Sequence, residues 1–408
     1  MDKKTLPLII VLALIIIFYY PILQFFGLTE KQKPQPPPTE QTDTSQTATP
    51  AETSVSTKES APVTSDALSA QTIADTAASV EADTIIIKTN KYEIALSSHG
   101  GGPVALYLKE FTYRDGRNIN MLSKANLATP DFTFAGETFS IADVDFSSSS
   151  PAGSYDVTSQ PFELHYRHKR GGGGGELIKR YRFYPNSYHY DLVIEIVNRE
   201  QFGFERNYSI VWNTPLDVTE PQIKEDYAEV NAVALMAGAR VTLDEFEDNK
   251  LNQSFDGQVS WAGVRSKYFT SVIIPRNSAA ERVFAVGKKM DVPIPDGVVE
   301  GREITVGLLM PLEGLLSDTF TIFVGPLDYN LMASYNVELE DMLGIGTTPY
   351  VGWIIKPFAL AIIWLLPKMY YVIPNYGVVI IIFALLVKLI TLPLSLKSFK
   401  SMQAMKDL

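Results

Sequence analysis

Residues 188–197 read YHYDLVIEIV, and their alternation decides the fold. Tyr188, Tyr190, Leu192, Ile194 and Ile196 share one face, while His189, Asp191 and Glu195 share the other, which is the period of a half-buried strand. Working outward, TIIIK, YEIALS, KRYRFYP, REITVGLLMP and FTIFVG repeat this texture between runs of Gly, Pro, Asn and Asp. Residues 85–345 are therefore expected to form a large all-β antiparallel sandwich, big enough to bury most of its chain surface unaided. The chain has no cysteine, so disulfides, thiolate metal sites and an N-terminal lipid anchor on cysteine are excluded, and packing must supply the stability.

On either side the composition changes. Leu6 to Leu28, LPLIIVLALIIIFYYPILQFFGL, is uncharged and long enough to cross a hydrocarbon layer about 30 Å thick. It exceeds a signal-peptide core and no A-x-A cleavage site follows, so residues 1–28 are expected to be a retained transmembrane anchor. Lys3 and Lys4 place its start in the cytosol. Residues 29–84 are rich in Thr, Ser, Ala, Pro, Gln and Glu; such a composition cannot offset ordering entropy and is expected to be a disordered tether. After Pro326, Leu331, Tyr335 and Leu339 recur at four-residue spacing, which predicts a short helix leading to the membrane.

The C-terminal part holds two apolar segments. In GWIIKPFALAIIWLLPKMYYVIP, eleven residues separate Lys356 from Lys368, about 16 Å of helix. With two lysines, two tryptophans and paired tyrosines, residues 346–375 are expected to hold an interfacial amphipathic helix. Residues 376–396, YGVVIIIFALLVKLITLPLSL, carry one ionisable group and are followed by Lys397, Lys400 and Lys406, which predicts a second transmembrane helix running back to the cytosol. The net charge of -11 disfavours nucleic acid as a partner.

Lys388 sits inside that second span, where a central charge costs about 2.5 to 3.5 kcal/mol on insertion scales. One reading has its side chain snorkel to the cytosolic headgroups, about 12 Å away along the helix. The other reading is functional. Ala384, Lys388, Thr391 and Ser395 follow i, i+4, i+7 and i+11, a small-to-polar stripe that implies a wet face. A cationic, water-accessible groove would lower the barrier for a polar segment crossing the bilayer.

The order of these parts resembles a known family. An anchor, a Pro/Thr-rich tether, a β-domain carrying GGPVALYLKEF (Gly101 to Phe111), WAGVRSKYF (Trp261 to Phe269) and FVGPLDY (Phe323 to Tyr329), then GWIIKPF and VKLITLPLSLKSFKSMQAMK, are similar to the YidC-type insertases of the YidC/Oxa/Alb family. The resemblance implies a galactose-mutarotase-like super-sandwich in the periplasm of a multi-pass inner-membrane protein. It implies an insertase and chaperone for nascent membrane proteins, working with the lipid bilayer, the Sec translocon and the ribosome, with no enzymatic activity and no cofactor. A substrate groove of Lys388, Thr391 and Ser395 follows from it, the family usually having arginine where Lys388 stands; lysine keeps the charge and loses the planar fork. The resemblance further implies that Pro393 closes the span, that residues 397–408 open a cytosolic helical hairpin, and that later membrane helices complete the groove.

Other chemistries find little support. Gly171 to Gly175 lacks the Lys-Ser/Thr and helix of a phosphate loop and is expected to be a hairpin connection. His99, His165, His168 and His189 show no metal-ligand spacing. Neither a G-x-S-x-G motif nor a cysteine nucleophile is present. The main alternative is a membrane-tethered carbohydrate-binding or mutarotase-like domain, with His189 and a carboxylate as acid and base. A periplasmic scaffold or chaperone is a third reading, and leaves Lys388 unexplained.

Overall fold

The computed structural model describes residues 84–406, apart from residues 126, 135–138, 171–173, 199–201, 203–206, 296, 313–315 and 348–349, with side chains as far as residue 392. The anchor expected at 1–28 and nearly all of the tether expected at 29–84 lie outside the described residues.

In chain order the strands are β1 (Thr84–Lys88), β2 (Tyr92–Ser97), β3 (Gly102–Thr112), β4 (Asn118–Asn120), β5 (Asp131–Phe134), β6 (Phe139–Ser140), β7 (Ser147–Ser148), β8 (Gly153–Asp156), β9 (Phe162–Arg170), β10 (Gly175–Phe183), β11 (His189–Val197), β12 (Asn207–Trp212), β13 (Asn231–Met236), β14 (Ala239–Leu243), β15 (Phe246–Glu247), β16 (Lys250–Arg265), β17 (Phe269–Pro275), β18 (Ala280–Ile294), β19 (Gly297–Pro311) and β20 (Leu316–Pro326). They form two sheets. The smaller runs β4-β3-β2-β1-β8, and the larger runs β6-β5-β12-β19-β18-β16-β17-β20-β11-β10-β9-β7, with β13, β14 and β15 paired beside it. Pairing is antiparallel except between β1 and β8.

The alternation in residues 188–197 becomes the packing. Tyr190, Leu192, Ile194 and Ile196 are buried, while His189, Asp191, Val193 and Glu195 are only half-buried. Ile85, Ile87, Ile94 and Leu106 of the smaller sheet join Tyr181, Phe183, Tyr190 and Trp212 of the larger one in a single apolar core. The expected antiparallel sandwich is thus observed, closed by burial of aromatic and β-branched side chains. The glycine run does connect a hairpin, β9 pairing with β10 from Arg170↔Gly175 to Phe162↔Phe183, although residues 171–173 are outside the described set.

Helix α1 (Ile223–Ala228) packs against β19, and α2 (Tyr329–Ala333) follows β20. Asp328 caps α2 by accepting from the Leu331 amide at 2.8 Å. A 3-10 turn, Leu339–Leu343, then leads to α3 (Gly352–Val372) and α4 (Tyr376–Lys406). Between these two helices Pro374 breaks the chain and Asn375 Oδ1 accepts from the Gly377 amide at 2.9 Å, capping α4. Tyr370 and Tyr376 stack across the turn with ring centroids 4.0 Å apart.

Two features of these helices go beyond what charge spacing and proline position give. The regular part of α3 extends past both lysines; its 21 residues are long and apolar enough, by length and composition, to cross a membrane. Helix α4 does not end at Pro393 but continues to Lys406. A proline deletes one donor from the ladder, and the turns on both sides keep theirs, so the helix carries on through it.

Candidate functional site

Lys388 lies on α4, and its side chain is exposed among exposed Leu385, Leu389 and Ile390. Among the described residues it has no ion-pair partner, and it shares its helix face with Ala384, Leu385 and Thr391. Thr391 stands one turn on, and its hydroxyl donates to the carbonyls of Val387 at 2.9 Å and Lys388 at 3.2 Å. That hydroxyl is therefore turned back onto its own helix, so it lowers the polarity the stripe presents. Helix α4 also carries Ser395, but no side chain beyond residue 392 is described. The backbone places the three positions on one helix face, while Lys388 provides the exposed charge.

The three sequence motifs of the β-domain converge on one place. A cavity of about 720 Å³ is lined by Glu110 and Phe111 from GGPVALYLKEF, Tyr268 and Phe269 from WAGVRSKYF, and Pro326 and Leu327 from FVGPLDY. Phe111 and Phe269 meet edge to face at 5.3 Å, which fixes β3 against β17. Tyr188 donates to Glu110, whose other oxygen takes a 2.7 Å bond from Lys91, and both bonds hold the Glu110 carboxyl below its usual range. The polar groups here satisfy one another. Leu331 of α2 closes the same wall, so the motifs meet where the chain leaves the sandwich for α3.

A second cavity, of about 750 Å³, opens on the larger sheet between β5, β12, β16, β18 and β19, with Asp131, Asn213, Lys250, Arg282 and Phe284 in its lining. His189 lines neither cavity. Its Nδ1 is shared by the Ser187 hydroxyl and the Tyr335 hydroxyl, the latter at 2.8 Å, and burial pushes the imidazole below its ordinary pKa. The neighbouring carboxylate, Asp191, is occupied by Thr321 at 2.7 Å and by Tyr184 at 2.5 Å. The acid and base that a mutarotase-like reading requires therefore line neither of these two cavities, and both are engaged by neighbouring hydroxyls.

Reading the sequence also left unassigned the residues that hold the exit from the sandwich. Trp261 donates its indole N–H to the Val337 carbonyl at 2.9 Å. Arg265 reaches the carbonyls of Met342 at 3.1 Å and Leu343 at 3.3 Å, and Glu229 at 3.1 Å. Both were visible as members of WAGVRSKYF; their alternate spacing on a strand was the available signal.

Comparison with known proteins agrees with this architecture. The family model described as YidC periplasmic domain matches residues 84–361. The membrane protein insertase YidC of Chlorobium limicola is 33% identical over 56% of this chain and 38% of its own length. That of Chlorobaculum parvum is 30% identical over 79% and 55%, and that of Syntrophus aciditrophicus 26% over 100% and 73%. The chain spans about half the length of most of the curated relatives it matches. Among solved structures, an alpha-N-acetylgalactosaminidase from Bifidobacterium bifidum aligns with a TM-score of 0.40 at 11% identity, over 63% of this chain and 39% of that one. A putative aldose 1-epimerase from Escherichia coli aligns at 0.34 and 9%, over 59% and 98%. Likeness at this level carries no functional weight. With the family model covering more than half of its residues, the chain belongs to the YidC family.

Proposed function

We propose that this protein assists the insertion and folding of integral membrane proteins in the bacterial inner membrane, with its sandwich in the periplasm. The observation that carries the reading is Lys388: an exposed ammonium on an apolar helix, unpaired among the described residues, in a chain of this family. In a bilayer such a charge is costly unless water reaches it, and a wet cationic face attracts acidic or polar segments arriving from the cytosol. Lys388 would supply the attraction, while the positions of Thr391 and Ser395 would keep that face free of bulky apolar side chains. Nascent membrane proteins are the proposed substrates, with the Sec translocon and the ribosome as proposed partners. The role is that of an insertase and chaperone rather than an enzyme.

The test uses the full-length gene product in proteoliposomes, with clients whose translocated tails are acidic. Lys388→Arg should keep most insertion, Lys388→Leu should slow it, and Lys388→Glu should slow it most by repelling the tail. All variants must accumulate equally. Normal insertion by Lys388→Glu would return Lys388 to the snorkelling reading.

A further inference from the structure

The larger sheet presents a row of three positions on β16 that grips the chain on its way to α3. Trp261, Gly263 and Arg265 alternate along the strand and so point to the same side. Trp261 holds the Val337 carbonyl. Gly263 gives Met342 its seat: a Cβ there would stand 2.4 Å from the Ser271 carbonyl oxygen, 2.9 Å from Val272 and 3.0 Å from the Met342 methyl. Arg265 takes the last carbonyls of the 3-10 turn, those of Met342 and Leu343, where the turn's dipole is negative. Its side chain is largely buried, and among the described residues Glu229 alone forms an ion pair with it.

The gripped segment is ordered at a cost. Asn336 and Glu338 adopt positive φ of 55° each, which non-glycine residues hold only when their surroundings insist. Leu339 and Met342 are fully buried in the common core, which anchors the segment from below. Beyond it the position is handed on. Asp341 lies 3.9 Å from Lys356 of α3, and Gly346 is packed so tightly that a Cβ would stand 2.7 Å from Lys356 Cβ. Gly352, the first residue of α3, has no room for a Cβ against the Gly346 carbonyl, 1.9 Å away. These approaches of Asp341 and Gly346 to Lys356 and Gly352 tie the turn to the start of α3.

We infer that Trp261, Gly263 and Arg265 form a clasp that fixes the direction in which α3 leaves the sandwich, and that Arg265 is a positioning residue for insertion, acting through the Leu339–Leu343 turn. This rests on the insertase reading for its functional half; the clasp itself rests on geometry. A planar five-donor fork suits two adjacent carbonyls and a carboxylate at once, and a lysine at this position would reach one of them.

Residues 1–408 contain no cysteine, so no native thiol within them competes with the labels. Spin labels on cysteines placed at Gln253 in the sandwich and Lys368 on α3, in the full-length protein in lipid, report the distance between the two bodies. The natural sequence should give one narrow distribution, Arg265→Ala one at least twice as wide, and Arg265→Lys an intermediate width. Insertion should fall several-fold in Arg265→Ala and recover in part in Arg265→Lys, with the melting temperature of the sandwich within a few degrees of the parent. Trp261→Phe, which keeps an aromatic ring but deletes the indole donor and part of the ring's volume, gives a second variant should Arg265→Ala not accumulate, and should widen the distribution too. An unchanged distribution in both overturns the clasp. A widened distribution with full insertion, in a protein that Lys388→Glu does slow, overturns the positioning role and leaves the insertase reading standing. If Lys388→Glu does not slow insertion either, the insertase reading fails, and the positioning role with it.

Discussion

The ammonium of Lys179 lies 2.7 Å from the carbonyl oxygen of Gly100, fully buried between the sheets. The rings of Phe132 and Phe146 flank it at 5.4 and 5.3 Å, so its charge is met by a peptide dipole and two aromatic faces. Burial outweighs these, and also the attraction of Asp131, and brings the amine down from 10.5 to about 8. The unfolded chain then holds a proton that the folded chain releases between pH 8 and 10.5. The contribution is fully present above 10.5 and is lost as the pH falls to about 8, amounting to roughly 3 kcal/mol. Lys179→Met should therefore flatten the rise in stability of the isolated sandwich across that window. Denaturant melts at pH 7.5, 9 and 10.5 measure it, and parallel slopes in parent and variant would refute the assignment.

Gly100, the residue that Lys179 holds, has φ of +77° and no space for a side chain: a Cβ would stand 2.6 Å from both Ala128 Cβ and the Ala142 carbonyl oxygen. Gly100→Ala combines backbone strain with overpacking and should cost about 2 to 4 kcal/mol in sandwich stability. Gly116→Ala has open space around it, so it meets strain alone and should cost about 1 kcal/mol. Equal melting temperatures for the two variants would contradict the packing described.

Two histidines should push stability in opposite directions with pH. His189, lowered by burial, contributes stability above pH 6.5 that is lost as the pH falls through its folded value. His99, raised chiefly by its 2.8 Å bond to Asp145 and also by Asp143, contributes stability below pH 6.5 that is lost as the pH rises through its folded value. His189→Gln should thus reduce acid sensitivity, and His99→Gln should reduce stability at pH 5.5 more than at pH 8. Proton titration of the two imidazoles by NMR checks both directions.

Topology can be tested with single cysteines. With Lys3 and Lys4 at one end and Lys397 and Lys400 at the other, both termini are expected in the cytosol and the sandwich outside, α3 lying at the outer interface. A cysteine replacing Gly116 should react with an impermeant reagent added to spheroplasts, and one replacing Lys406 should react only after the membrane is opened. The reverse pattern would rule the arrangement out.

The sandwich was legible in the sequence because burial writes a period of two, as Tyr190, Leu192, Ile194 and Ile196 demonstrate. Lys388 was legible because a single charge in an apolar run is conspicuous. The clasp was not: Trp261 and Arg265 meet Val337 and Met342 about 76 residues away, and no local pattern encodes which carbonyl a buried guanidinium will find. Nor was the inward turn of the Thr391 hydroxyl, since a helical threonine has both options and periodicity does not choose between them. Helix α3 falls within the expected residues 346–375, but its length does not follow from counting between lysines: that measures the uncharged interval, while hydrogen bonding, not charge, sets where a helix ends.

The last strand of the sandwich, β20, is not at an edge: it pairs with β11 on one side and β17 on the other. Until residues 316–326 are available, β11 and β17 have no partner at those edges, and the larger sheet exists as two unjoined halves. A chain delivered from its N-terminus across a membrane would thus hold an incomplete domain for most of its export, with exposed strand edges that invite wrong pairing. Completion waits for the segment immediately ahead of α2 and α3. The order of residues therefore times domain closure to the arrival of the following apolar helices, so maturation of the sandwich and synthesis of those helices become neighbouring events in biogenesis.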